Sequence, residues 1–221
     1  MKSTLLRKKR AKASRRLLAV DPSLTCSGWA LFDLSDELAG GALLVAVGKI
    51  RSLAASVPLA SRLFDLQQKI CSVFDQLSLG SDDVLICESQ TTMRDPRAAF
   101  KVEQVRGIFE TIARSRELKV PGRINPRSVQ SEVMGLRGRQ LERSMVKQTA
   151  VQIVKTVYGE ALTSLGFTVD SKNLQRHQDI VDAILVGSLA VTRVQGAERC
   201  GFELEDAFAP KIRRVGKRLP R

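Results

Sequence analysis

The sequence contains a single histidine, His177, and only four cysteines. A catalytic Ser-His-Asp triad would therefore have to depend on that one histidine. The cysteines are Cys26, Cys71, Cys87 and Cys200; they show no pairing at zinc-finger spacing, and three of the four lie in apolar stretches. We interpret them as reduced thiols of an intracellular protein, which argues against a zinc-finger class.

Long apolar runs are also missing. No run approaches the 18 residues that a membrane-spanning helix needs, so we predict no membrane partner. No apolar segment follows the basic start, which argues against a secretory signal, whereas an organelle transit peptide is compatible with that start. The sequence has no P-loop or second glycine-rich phosphate turn, which disfavours a sugar kinase or an actin-like ATPase.

The formal net charge of +13 comes from the two ends of the chain. Residues 1–16 carry eight Lys or Arg and residues 210–221 carry six, and neither segment contains an acidic residue. The intervening residues 17–209 sum to a net charge of −1. Basic arms on a near-neutral body predict a polyanionic partner, with nucleic acid favoured over a solubility tail or a targeting peptide.

The length of 221 residues suits one domain, which we predict over 17–195, with a basic arm at 1–16 and a basic extension at 196–221. The first half predicts strands at 17–21, 27–33 and 42–50, a helix at 58–78 and a strand at 83–88. The second half predicts helices at 98–117, 142–158 and 173–194, with an edge strand at 118–124 and a short helix up to Gly135. The fold class is therefore α/β, a mixed sheet of three antiparallel strands followed by parallel strands, flanked by helices.

Two apolar strands end in a carboxylate. The run from Leu17 to Val20 leads into Asp21, and the run from Val84 to Cys87 leads into Glu88. A helix separates these strands, so we expect them to lie parallel in one sheet. An ionised carboxylate is costly to bury, and it becomes reasonable at a strand end if it faces a cleft and holds a cation.

A second acidic pair lies on the last predicted helix. Asp179 and Asp182 are three residues apart, which places them on one helix face. An exposed, solvated face is the alternative explanation, but the apolar residues around the pair predict a buried helix. Four carboxylates could thus meet at one sheet edge, where oxygen ligands favour two Mg²⁺ ions, with Mn²⁺ as a substitute, and phosphodiester hydrolysis.

Several motifs resemble those of the RuvC-type Holliday junction resolvases, which have the RNase H-like fold. The resemblance covers residues 17–194. The matching segments are Val20-Asp21-Pro22-Ser23 with Gly28-Trp29, Ile86-Cys87-Glu88, Gln104-Val105-Arg106-Gly107, residues 128–135, Lys147-Gln148-Thr149-Ala150-Val151, and Asp179-Ile180-Val181-Asp182-Ala183.

This resemblance implies a metal-dependent endonuclease that works as a homodimer on four-way DNA. The implied metal ligands are Asp21, Glu88, Asp179 and Asp182, and Lys147 would lie near the scissile phosphate. The surface of the 98–117 helix is the expected dimer interface. The expected location is intracellular and DNA-associated: bacterial or phage-infected cytoplasm, with an organelle or a virus as alternatives.

DNA contacts are expected from two loops. The loop after Glu88 lies beside the predicted site, and the loop before the 142–158 helix is rich in arginine. The candidate residues are Gln90, Thr91, Arg94, Arg137, Arg139 and Arg143. Plain surface charge is an equally good explanation for any single arginine among them.

The chain departs from the family pattern at several points. Ser23 stands where the family has Gly, and Thr91 stands where bacterial members have an aromatic residue that stacks on the open junction. The spacer between Lys147 and Asp179 is longer than usual, and the basic arms are additional. These differences indicate a divergent member.

Two other functions use the same features. An RNA-processing nuclease could have this fold and these carboxylates, because basic arms suit any phosphate-rich partner. A non-catalytic nucleic-acid-binding protein is the third hypothesis, although four carboxylates without a metal would repel DNA. The position of His177, two residues before Asp179, suits either the metal cleft or a helix cap, with the cap favoured, and Trp29 is expected in the core.

Overall fold

A computed structural model describes residues 15–34, 42–90, 95–137 and 141–209 of the chain. Within these ranges a five-stranded sheet has the order β3-β2-β1-β4-β5. The strands are β1 (Arg16–Asp21), β2 (Cys26–Asp33), β3 (Leu43–Arg51), β4 (Val84–Glu88) and β5 (Arg123–Ile124). β1, β2 and β3 pair antiparallel, whereas β4 pairs parallel with both β1 and β5. The mixed sheet predicted from the sequence is confirmed.

Helices cover both faces of this sheet. They are α1 (Leu59–Gln76), α2 (Pro96–Ser115), α3 (Pro126–Ser128), α4 (Arg143–Ser164), α5 (Ser171–Arg176), α6 (Gln178–Cys200) and α7 (Leu204–Phe208), with a π-helical turn at Val129–Val133. Leu18 and Val20 of β1 face a core with α1 and α2, whereas Leu17 and Ala19 face a core with α4 and α6. Burial on both faces explains why β1 is apolar throughout rather than alternating.

α6 is the central helix of the second core. By length and composition alone it could cross a membrane, with a mean hydropathy of 1.4 over its most apolar window. However, 67% of that window is buried inside the protein. Contacts with β1, β2 and α4 therefore account for its apolar composition.

Several helix bounds differ from the sequence predictions. The single helix predicted at 173–194 is two helices, α5 and α6, which meet at His177. α4 continues to Ser164 through residues predicted as a connection, because Leu162 is fully buried in the core. α2 begins at Pro96, two residues early, where the Asp95 side chain accepts a hydrogen bond from the Arg97 amide at 2.9 Å.

The chain ends were predicted as arms, and residues 1–14 and 210–221 lie outside the described part. β1 begins at Arg16, inside the predicted N-terminal arm. α6 crosses the predicted boundary at residue 195, and Phe208 of α7 is 5% exposed against the core. Residues 196–209 thus continue the domain. The division into 1–16, 17–195 and 196–221 otherwise stays a prediction.

Candidate metal and nucleic-acid site

Asp21 and Glu88 lie side by side at the ends of two parallel strands. The register pairs Val20 with Cys87, and one further step places Asp21 next to Glu88. Residues 17–20 of β1 and 84–87 of β4 are buried, so the two carboxyl groups emerge where the apolar part of the sheet stops. Strand pairing alone therefore brings together two residues that are 67 positions apart.

Gly28 brings the first turn of α6 onto the same sheet edge. It pairs with Asp21 on one side and with Lys49 on the other. A Cβ atom at residue 28 would collide with the main-chain carbonyl of Asp179, so only glycine permits this approach. The close packing places Asp179 and Asp182, one helical turn apart, next to the strand ends.

The electrostatics show that the acidic residues share one environment. Burial, followed by repulsion from Asp182 and Asp179, raises the pKa of Asp21 to about 7. Burial and the charge of Asp21 raise the pKa of Glu88, and burial raises that of Asp182 to about 6. Crowded carboxylates with raised pKa values are what a bound divalent cation would relieve.

Asp21 and Glu88 share a hydrogen bond, and each of the other two carboxylates has a polar partner outside the acidic group. Lys49 Nζ donates to Asp179 Oδ2 at 3.0 Å, and Gln178 Nε2 donates to Asp182 Oδ1 at 2.8 Å. Among the described residues, no three His, Cys, Asp or Glu side chains already form a metal-binding group. A bound cation would compete with these partners for the two carboxylates. Their chemistry fits the task, because carboxylate oxygens are the ligands that Mg²⁺ and Mn²⁺ prefer.

A cleft of about 200 Å³ opens beside the acidic residues. Glu88 and Asp182 line it together with Arg143 and Lys147 from the start of α4. The positive charges of Lys147 and Arg143 act on Asp182 and lower its pKa, against the larger effect of burial. The structure thus brings one predicted lysine and one predicted arginine to the carboxylates, next to a space that a phosphate could enter.

The other predicted DNA contacts are less closely placed. Gln90 is half-buried two residues after Glu88, and Arg137 is exposed at the end of a described range. Neither of them lines the cleft. Thr91, Arg94 and Arg139 lie outside the described residues, so their roles stay predictions.

His177 occupies the junction of α5 and α6, at the N-cap position of α6. Its side chain makes no capping hydrogen bond; instead the ring contacts Phe167 edge-on, with centroids 5.7 Å apart. Burial, followed by the charges of Lys49 and Arg51, lowers its pKa. His177 therefore lies at a helix cap, the position that the sequence favoured, but its side chain does not cap the helix through a hydrogen bond. Trp29 is half-buried and packs against the α1–α2 core, as expected.

Sequence reasoning missed two polar residues of the site, Lys49 and Gln178. Lys49 is the only charged residue in the predicted strand 42–50, and a lone charge in an apolar strand was a usable signal. Gln178 gave no such signal, because a glutamine at a helix start is ordinary. Its role depends on the helix break at His177, which the sequence pattern did not reveal.

No protein-family model matches the chain, and no curated protein matches it either. Solved structures do. Thermus thermophilus RuvC in complex with a Holliday junction substrate is similar with a TM-score of 0.57 at 16% identity, over 84% of this chain and 96% of that one. Fowlpox virus resolvase in complex with Holliday junction DNA is similar with a TM-score of 0.52 at 13% identity, over 81% of this chain and 98% of that one.

These likenesses extend over nearly the whole length of both resolvases. The predicted resemblance to the RuvC-type resolvases is therefore confirmed at the level of the fold, which is RNase H-like. At 13–16% identity the sequences have diverged widely.

Proposed function

We propose that the chain is a metal-dependent endonuclease that resolves four-way DNA junctions by paired, symmetric nicks. The observation that carries the proposal is the meeting of Asp21, Glu88, Asp179 and Asp182 at the strand ends, on a fold shared with two junction resolvases. Holliday junction DNA is the ligand that both resolvase structures contain.

The acidic residues would hold two Mg²⁺ ions, with Mn²⁺ as a substitute. When bound, such a pair supplies the Lewis acidity that activates a water molecule and stabilises the leaving 3′ oxygen. Lys147, at the cleft wall, would offset the charge that develops on the scissile phosphate. Arg143 would position a neighbouring phosphate, and no side chain needs to act as a covalent nucleophile.

A homodimer would suit the two-fold symmetry of a four-way junction, because two facing sites can cut two strands symmetrically. The surface of α2 is the proposed interface, and Phe100 on that surface is 64% exposed. Phe100→Glu is expected to yield monomers at concentrations at which the unaltered protein is a dimer, as measured by sedimentation velocity. Phe202→Glu, at a 66% exposed site far from α2 in sequence, is the matched control.

Cleavage of a synthetic mobile junction tests the proposal directly. With Mg²⁺ we expect paired nicks at symmetric positions, and a loss of at least about 10³-fold in rate for Asp21→Asn, as for loss of an essential catalytic group. Asp65→Asn, which alters a half-buried carboxylate on α1 outside the acidic group, should cut normally. Equal cutting by the Asp21→Asn protein, or preference for structured RNA in direct competition, would contradict the proposal.

A further inference from the structure

The side chain of Lys49 places a positive charge within the acidic site. Its ammonium group donates to Asp179 Oδ2 at 3.0 Å and to the main-chain carbonyl of Arg176 at 3.2 Å. The lysine side chain is 11% exposed and that of Asp179 is 35% exposed. A partly buried ion pair of this kind is screened less by salt than a pair on the open surface.

The sheet explains how Lys49 reaches this position. It lies on β3 directly opposite Gly28, which in turn lies opposite Asp21. Because residue 28 has no side chain, α6 packs close to the sheet and Asp179 comes within reach of Lys49. Asp179 therefore has a lysine as its ionic partner, while its negative charge also acts on Asp21 and Asp182.

The negative charges of the four carboxylates are offset to different degrees by their partners. Asp21 and Glu88 share a hydrogen bond, and Asp182 accepts one from an uncharged glutamine. Asp179 alone is paired directly with a full positive charge. A cation that binds Asp21, Glu88 and Asp182 meets no directly paired positive charge, whereas a cation that binds Asp179 competes with the ammonium group for the same carboxylate.

We propose that Lys49 is a resident counter-ion that competes with the second metal ion for Asp179. This inference rests on the proposed function, since it concerns the same site. The two ions then bind unequally. The first binds tightly to Asp21, Glu88 and Asp182, and the second binds weakly because Lys49 already neutralises Asp179 and repels a further cation. The Arg176 carbonyl keeps the ammonium group close by after the exchange. Lys49 is thus a positioning residue, which sets metal occupancy through Asp179.

The test counts bound Mn²⁺ by electron paramagnetic resonance, without DNA and without measuring cleavage. The unaltered protein should show one tight and one weaker ion. Lys49→Met should tighten the weaker ion at least tenfold and leave the tight one within about twofold. Lys69→Met is the matched control, because Lys69 also pairs with an aspartate, Asp65, at 2.8 Å and also donates to a main-chain carbonyl, that of Arg51 at 2.8 Å, but neither partner is one of the four acidic residues. It should leave both affinities unchanged.

Further variants keep the test decisive. Lys49→Gln serves if Lys49→Met does not fold, as judged by thermal unfolding, and Lys49→Arg should retain the weak second ion. In an Asp179→Asn background, replacing Lys49 should no longer alter Mn²⁺ binding, because a double-mutant cycle isolates the pair.

Each outcome has a separate meaning. Two ions bound by every variant with unchanged affinities would overturn the role of Lys49 and leave the proposed function standing. Two ions bound by Lys49→Met where the unaltered protein binds one would support it. Absence of Mn²⁺ binding in all variants would overturn the metal chemistry of the proposed function and, with it, this inference.

Discussion

Asp21 is the residue at which burial and charge conflict most clearly. A carboxyl group with a pKa near 7 in the folded protein holds a proton that the unfolded chain releases near pH 4. The site therefore weakens the metal-free fold at neutral pH. Functional sites often carry such a cost, which is compensated elsewhere in the molecule.

This conflict predicts how stability depends on pH. Asp21 and Asp182 have raised pKa values, about 7 and about 6, so their contribution to stability is fully present below pH 4 and is lost as pH rises through 6 and 7. In EDTA, the loss of this contribution should lower the melting temperature as the pH rises from 5 to 8. Differential scanning calorimetry across this range, with Asp21→Asn as a comparison, measures it.

The Asp21→Asn protein should show a smaller fall over that interval. At pH 8 it should melt at least about 2–4 °C above the unaltered protein, the shift that 1 kcal/mol causes in a domain of this size. Saturating Mg²⁺ should reduce the difference by stabilising only the unaltered protein. An equal pH dependence for both proteins would show that Asp21 does not carry the shifted pKa.

At the scale of elements, the contact between β2 and α6 positions the site. The two strands that flank β2 provide Asp21 (β1) and Lys49 (β3), and Gly28 of β2 between them is the point where the helix touches the sheet. The carboxylate pair of α6 is thereby aligned with the strand ends. A displacement of this one helix end would separate Asp179 from both Lys49 and Asp21.

Two glycine substitutions test this contact. Gly28→Ala should destabilise the protein by about 1–3 kcal/mol, because the added methyl group overpacks the contact with Asp179. Gly196→Ala is the matched control within α6, where a Cβ atom meets nothing within 4 Å, and it should stabilise by roughly 0.5–1 kcal/mol. Urea unfolding gives both values. A neutral Gly28→Ala would mean that α6 does not rest on the sheet there.

The element predictions succeeded where a pattern was local. The apolar runs before Asp21 and Glu88, the period of three to four residues in α1, and the Asp-x-x-Asp spacing in α6 each depend on near neighbours. The break at His177 and the extension of α4 were missed. Both depend on distant packing, since Leu162 and Leu174 are buried in the core that α6 organises.

Across the whole molecule, one ion pair ties the start of the sheet to the middle of the chain. Arg16 donates to Asp83 through Nη2 at 2.7 Å and Nε at 3.1 Å, and it also donates to the carbonyls of Leu77 and Ser78. Asp83 is 3% exposed and further accepts a hydrogen bond from the Gly80 amide at 3.0 Å. The pair holds the start of β1 against the turn before β4, the two strands that carry Asp21 and Glu88.

Breaking this pair should destabilise the entire domain. We expect Asp83→Asn to cost about 3 kcal/mol, as for removal of one partner from a buried pair. Asp65→Asn, which breaks the exposed pair with Lys69, should cost under about 1 kcal/mol. Urea unfolding followed by circular dichroism measures both. Equal costs for the two variants would show that the Arg16–Asp83 pair has no special role.

The sequence by itself determined which residues could do chemistry and on which elements they lie. It did so because strand and helix periodicity are local properties, and because ionised carboxylates at the ends of apolar runs have few explanations other than a site. Only the tertiary structure decided which partners those carboxylates have. Lys49 and Gln178 reach the site through a glycine contact between a strand and a helix about 150 residues apart in sequence, and no local pattern can encode a contact that depends on the packing of the entire sheet.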